Sequence, residues 1–315
     1  MTSTSARVVA APRHAELRLG YAGVVLGVLL WSLGPLFVRA MSAPALAIST
    51  YANWIAAPVC LLAAWISGAP LTRRVFLAAL PGGMVFALTQ LLAFASFQET
   101  SLANATLITT LTPIPIVIAA VPLFGERLTR RQILWGAVAL AGVVAVVLGA
   151  GGGGGAHLLG DLLAVGCLFT GAAYMLVTKH RRMAGVSANA YVAGVFLVCA
   201  LVQTPILLAT GDAGALGGSD WLWLVLLALL TSCAGTGLMA WSQHHVNVGI
   251  TSILSLLTAV IASAGGWLFF DQQLTVAQLV GGTGVIVGLA GVLAAQFSRA
   301  QDAGTRGVHD GRLVS

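Results

Sequence analysis

Apolar runs of about 20 residues, the length a helix needs to cross a hydrocarbon layer, recur ten times along this chain of 315 residues. They cover residues 20–40, 44–67, 75–97, 102–124, 131–149, 158–178, 187–210, 220–243, 248–270 and 275–297. The breaks fall on turn formers or charges: Ser42-Ala43-Pro44, Gly68 to Arg74, Glu99, Gly125 to Arg131, Gly151 to Gly155, Lys179 to Gly185, Gly211 to Asp220, His244 to Asn247 and Asp271 to Gln273. The runs are continuous rather than alternating in segments of about ten residues, which excludes a β-barrel. Each predicts a transmembrane α-helix, because lipid cannot satisfy exposed backbone groups.

Composition sharpens that reading. Only 8% of residues are charged and 58% are hydrophobic. An average soluble domain has roughly 25% charged residues, so this chain lacks the charge to cover a water-facing surface. Two soluble domains, intrinsic disorder, a collagen and a secreted disulfide scaffold are all excluded. Cys60, Cys167, Cys199 and Cys233 lie inside apolar runs without CxxC spacing and read as small core residues.

A net charge of +6 raises nucleic acid as a partner. The basic residues form short groups between apolar runs instead of a groove, so none is expected. Those groups encode orientation. Of the 15 Lys and Arg residues, only Arg39 falls on the far side of the predicted topology. Both termini are therefore expected in the cytoplasm and the chain in the inner (plasma) membrane. The run at 20–40 is too long for a signal-peptide core and is interrupted by Trp31 and Pro35, so it reads as an uncleaved first span.

The second half echoes the first at a shift of about 146 residues. Leu111-Thr112 matches Leu257-Thr258, Phe124 matches Phe270, and Leu128-Thr129 matches Leu274-Thr275. Gln132, Gly136 and Gly142 match Gln278, Gly282 and Gly288. Five spans per unit is an odd number, so the two units must be inverted relative to one another. The expected organisation is a tail at 1–19, a first five-helix unit at 20–149, a glycine-rich extracytoplasmic linker at 150–157, a second unit at 158–297 and a tail at 298–315. The glycine run lacks the Gly-Lys-Ser/Thr ending of a phosphate loop. The polar tail from Ser298 is expected to be disordered. In transporters, inverted repeats place the solute site near the midplane between the halves.

The chain resembles the drug/metabolite transporter superfamily, and within it the EamA-type ten-helix family. The resemblance rests on Leu30-Trp31-Ser32-Leu33-Gly34, on Leu111-Thr112-Pro113, and above all on Leu123-Phe124-Gly125-Glu126-Arg127-Leu128-Thr129 followed by Gln132 and Gly136. It covers residues 20–297 and implies a secondary transporter with cytoplasmic termini, often an exporter of amino acids or other small metabolites. The second copy departs from the pattern: Gln272 stands where the first has Glu126, and Ala259 where it has Pro113. Any role needing two symmetric carboxylates is weakened accordingly.

Polar side chains at mid-depth are costly against lipid and mark a path. Pro113 and Pro115 free the carbonyls of Thr109 and Leu111, and Pro35 frees that of Trp31. The fourth span is thus expected to be irregular near its middle. At the repeat shift, Gln90 pairs with Thr236, Thr109 with Ser255 and Thr112 with Thr258. These six, with Trp31, Asn53, Thr170, Tyr174 and Trp241, are the expected substrate-binding residues. Two competing roles stay open for them: hydroxyls that repair the frayed backbone, and interhelical glue.

No carboxylate falls at mid-membrane, and Glu99 and Asp161 belong at the outer ends. No catalytic, cofactor or metal site is expected. The adjacent His244 and His245 lack a further ligand, and a membrane enzyme would need a nucleophile, base or metal cluster. The expected partners are a small-molecule solute and the lipid bilayer. The pairs Gly23-x3-Gly27 and Gly284-x3-Gly288 permit close helix packing, within one chain or in a homo-oligomer. The expected function is secondary transport of a small polar metabolite by alternating access, export favoured over import. A passive channel and a lipid-directed enzyme are the alternatives.

Overall fold

The computed structural model describes residues 14–100, 105, 108–125, 128–149, 158–258, 260–261, 264 and 276–310, and every element in them is helical. The glycine run 151–155, Glu126-Arg127, Ala259, the segment 265–275 and the extreme ends lie outside the described residues. Six stretches are long and apolar enough to cross a membrane. The first is bent, as α1 (His14–Trp31) and α2 (Gly34–Arg39). The next four are α3 (Ala45–Ile66), α4 (Arg73–Glu99), α7 (Leu158–Met183) and α8 (Ala188–Thr210). The sixth comprises α9 (Asp220–Leu226), a π-helical stretch Leu227–Gly235 and α10 (Thr236–Ser242). Among the rest are α5 (Pro113–Phe124), α6 (Arg130–Gly149), α11 (Val248–Leu254) and α12 (Val276–Asp310).

The outer surfaces carry Trp65, Ile66, Ile118 and Leu208, each about two-thirds exposed or more, as suits hydrocarbon contact. This is a multi-pass membrane protein. The expected disorder beyond Ser298 is not found up to Asp310, where α12 continues. Residues 298–303 hold no proline or glycine, and Arg, Ala and Gln are good helix formers.

The recurring Leu-Thr-x-x-Gln motif has a local explanation at its first copy. The Thr129 amide donates to Gln132 Oε1 at 2.8 Å, and the Gln132 amide donates to Thr129 Oγ1 at 3.2 Å. This is a reciprocal capping box that starts α6. Just before it, Gly125 closes α5 with φ of 66°, a left-handed conformation that glycine adopts without strain.

Packing follows the repeat. α4 lies against α7 and α8, while α1 lies against α10 and the π-helical stretch, which in turn contacts α3. Equivalent helices of the two halves also meet each other, α3 with α8 and α6 with α12. Both pairs are antiparallel. Along the first, Ser49 and Trp54 bond to Gln203 and Thr204, whereas Ser67 bonds to Asn189. Along the second, Gly142 faces Gly281 and Val285, and Ala139 faces Gly288.

Small residues bring these backbones together without side chains between them. Gly23 and Gly27 rest on Ser242, Trp241 and Met239, and Gly284 rests on Gly142. Both glycine pairs singled out in the sequence are thus occupied inside the chain. A Cβ at Gly288 would stand 2.6 Å from the Ala139 nitrogen and 2.8 Å from the Trp135 carbonyl oxygen, main-chain atoms that have little room to move. Gly288→Val should cost about 1–3 kcal/mol through overpacking, read as a lower melting temperature of the purified protein in detergent. An unchanged melting temperature would refute this seam.

Candidate functional site

Among the described residues the helical chain breaks at three places that matter here. Pro35 has no N–H for the Trp31 carbonyl, and the first span turns at Ser32-Leu33. Just before α5 the chain turns at residues 110–112, where the Leu111, Thr112 and Ile114 amides bond three residues back, to Ile108, Thr109 and Leu111. In the second half the chain turns at Ser255-Leu256, and the Leu256 and Thr258 amides bond to Ile253 and Ser255. Shifted by about 146 residues, these two tight turns coincide.

Hydroxyls occupy the carbonyls at these turns. Thr109 Oγ1 donates to the Ala105 carbonyl at 2.8 Å, Thr112 to Thr109 at 2.5 Å, and Ser255 to Ser252 at 2.6 Å. Serine and threonine at these positions repair backbone that would otherwise be orphaned in an apolar environment.

The breaks enclose one cavity of about 280 Å³. Eight of the eleven residues expected from the sequence line it: Trp31, Gln90, Thr109, Thr112, Tyr174, Thr236, Ser255 and Thr258. Trp31 Nε1 donates to Thr236 Oγ1 at 3.1 Å, so α1 and α10 are joined in its wall. The indole sits over Gly235, where a Cβ would be 2.8 Å from its ring. The π-helical stretch directs Leu227, Thr231, Ser232 and Thr236 into the same space. Such wider turns are frequent at functional sites.

The other three do not line it. Asn53 is fully buried one layer behind, and its Nδ2 donates to both Gln90 Oε1 and Gln203 Oε1 at 2.9 Å. Thr170 turns its hydroxyl back to the Gly166 and Cys167 carbonyls. Trp241 is five residues beyond Thr236 on the same helix, points away, and stacks on His245 with ring centroids 4.7 Å apart.

Sequence reasoning missed Thr89, Thr110, Thr231 and Ser232, together with the aromatic wall of Phe86, Phe94 and Phe97. It also missed Ser49 and Gln203. Ser49 Oγ donates to Gln203 Oε1 at 2.9 Å, and Gln203 Nε2 donates to the Ala87 carbonyl at 3.1 Å. An amide deep inside the apolar run 187–210 was the available signal for Gln203. This network holds Gln90 by its oxygen and so fixes which side of the amide the cavity meets.

The cavity runs toward the end of the bundle that carries Glu99 and Asp220, reaching Phe97, Pro35 and Leu227. Asp161 at that end accepts from Thr100 Oγ1 at 2.9 Å, and Asp220 accepts from the Gly217 amide at 3.0 Å. Neither carboxylate lines the cavity. At the opposite end two buried cations tie α7 to α10 and the segment after it. Lys179 Nζ donates to the Val246 carbonyl at 2.8 Å, and Arg182 Nε to the Ala240 carbonyl at 2.9 Å, both side chains being buried. Cations at the carboxyl end of α10 are also favoured by the helix dipole. Nearby, burial and then the Arg182 charge push the His244 imidazole below its ordinary range, which favours its neutral form. No metal-binding cluster of His, Cys, Asp and Glu occurs among the described residues.

Gln203→Leu leaves the Ser49 hydroxyl without its acceptor and removes one of the two acceptors of Asn53 Nδ2. The expected loss is about 1–3 kcal/mol per orphaned group, visible as a large drop in melting temperature. A change of less than a degree or so would show that the network carries no stability.

Among solved structures, a crystal structure of a protein 21% identical in sequence superposes with a TM-score of 0.73 over 89% of this chain and 98% of the other, which is a likeness of fold. An "uncharacterized transporter" of Archaeoglobus fulgidus is 28% identical over 85 residues, covering 27% of this chain and 30% of that protein. The profile of the EamA-like transporter family matches twice, at residues 18–148 and 158–294, the two halves whose helices pair above. With most of its length covered by these two matches, the chain belongs to the EamA-like transporter family.

Proposed function

We propose that this protein exports a small polar solute, an amino acid or a similar metabolite, across the inner membrane by alternating access. The transport unit is one chain of ten spans, arranged as two inverted five-helix units with both termini in the cytoplasm. The antiparallel pairing of α3 with α8 and of α6 with α12 supports that inversion. The carrying observation is that spans broken at equivalent positions of the two halves meet at one cavity, with polar partners from each half in its wall. Trp31, Gln90, Thr109, Thr112, Tyr174, Thr236, Ser255 and Thr258 contact the solute. Asn53 positions Gln90 from behind.

The cavity runs to the end bearing Glu99 and Asp220, and at the other end Lys179 and Arg182 bond main-chain carbonyls. Transport rocks the halves, so that the end bearing Glu99 and Asp220 closes as the other opens, while the Lys179 and Arg182 bonds, made within the second half, keep that unit rigid. Bonds that join the halves, such as Trp31 to Thr236, are individually modest, which keeps both states within reach.

Gln90→Leu and Thr258→Val, checked for equal membrane levels, should each lower the initial rate of solute efflux about fivefold or more. Wild-type rates in both would remove the assignment. Cysteine labelling at the two chain ends should succeed only from the cytoplasmic side. Labelling of one end from outside would leave an odd number of crossings and defeat the inverted arrangement.

A further inference from the structure

The hydrogen-bond bookkeeping of the cavity wall discriminates between solutes. A hydroxyl has one proton to give and two lone pairs to receive with. Five hydroxyls in the wall have committed the proton to a main-chain carbonyl: Thr89 to Val85 at 2.8 Å, Thr109 to Ala105 at 2.8 Å, Thr112 to Thr109 at 2.5 Å, Thr231 to Leu30 at 3.2 Å, and Ser255 to Ser252 at 2.6 Å. What these five turn toward a solute is lone pairs. The Trp31 N–H is taken by Thr236. Donation falls to the Gln90 amide nitrogen, which faces the cavity because Asn53 holds the oxygen, and to a few remaining hydroxyls.

Charge and shape point the same way. None of the described lining residues is charged. Tyr174 and Phe86 present aromatic faces, with ring centroids 4.3 Å apart. A carboxylate entering this space loses its water and meets few donors and no cation. An ammonium or amide N–H meets fixed acceptors, and a protonated amine gains from the aromatic faces as well.

We infer that this cavity selects N–H-bearing solutes without a free carboxylate, amines and amides on a flat apolar body, over the amino acids of the same skeleton. The inference rests on the cavity being the solute site of the proposed transporter and narrows what that site takes. The acceptors are fixed in place by the same bonds that repair the broken spans, so the selectivity is built into the backbone.

The test compares phenethylamine, phenylalanine amide and phenylalanine on the purified full-length protein, by calorimetric binding and by flux into proteoliposomes. The amine and the amide should half-saturate at concentrations about tenfold or more below phenylalanine. Gln90→Glu, which keeps the bond from Asn53 and replaces the cavity's amide donors by an acceptor, should widen that ratio. Equal or tighter binding of phenylalanine overturns the inference, as does a ratio that narrows in Gln90→Glu or an absence of binding by all three. Flux of phenylalanine in preference to the amine also overturns it, while leaving the transport reading intact. Binding of the amine at the expected ratio without flux supports the inference and counts against transport.

Discussion

A backbone carbonyl that loses its helical N–H inside hydrocarbon has no water to turn to, and this constraint organises the whole molecule. Most of the chain meets it with unbroken helices. At the tight turns, amide bonds made three residues back and nearby hydroxyls together serve the carbonyls. Thr112 serves the Thr109 carbonyl and Ser255 serves that of Ser252. The polar groups that make a central cavity possible are thus the groups that make broken helices tolerable. One side chain serves both backbone and cavity wall: the proton goes to the backbone and the lone pairs remain.

The second organising feature is the approach of backbones through small residues. Gly142, Gly284 and Gly288 allow α6 and α12 to lie almost main chain to main chain. Gly235 lets the Trp31 indole sit flat on the π-helical stretch and reach Thr236. At both places the two halves approach through small residues. Side-chain bonds to carbonyls also cross between the halves, from Gln203 to Ala87 and from Thr231 to Leu30.

Much of this was legible in the sequence. The apolar runs and the clustered basic residues define a multi-pass membrane protein because lipid imposes length and charge placement locally, residue by residue. Pro113, Pro115 and Pro35 announced where spans would break, since a missing N–H is a property of the residue itself. The repeat shift then matched Gln90 with Thr236 and Thr112 with Thr258, and all four line the cavity. Asn53, Thr170 and Trp241 do not line the cavity, for a geometric reason. Depth along a span can be counted, whereas the face a side chain presents depends on helix rotation, which neighbouring helices set.

The sequence by itself determined the class of protein, the two halves and the depth of the breaks, because each follows from short-range chemistry in an apolar solvent. Tertiary structure alone decided which polar groups meet. The bond from Asn53 to Gln90 spans 37 residues of chain, and that from Trp31 to Thr236 spans 205. The π-helical widening that directs Thr231 and Ser232 inward carries no residue signature, and it forms only against packed α1 and α3. Contacts so distant in the chain are fixed by how whole helices rotate and seat against one another, and no local pattern encodes that.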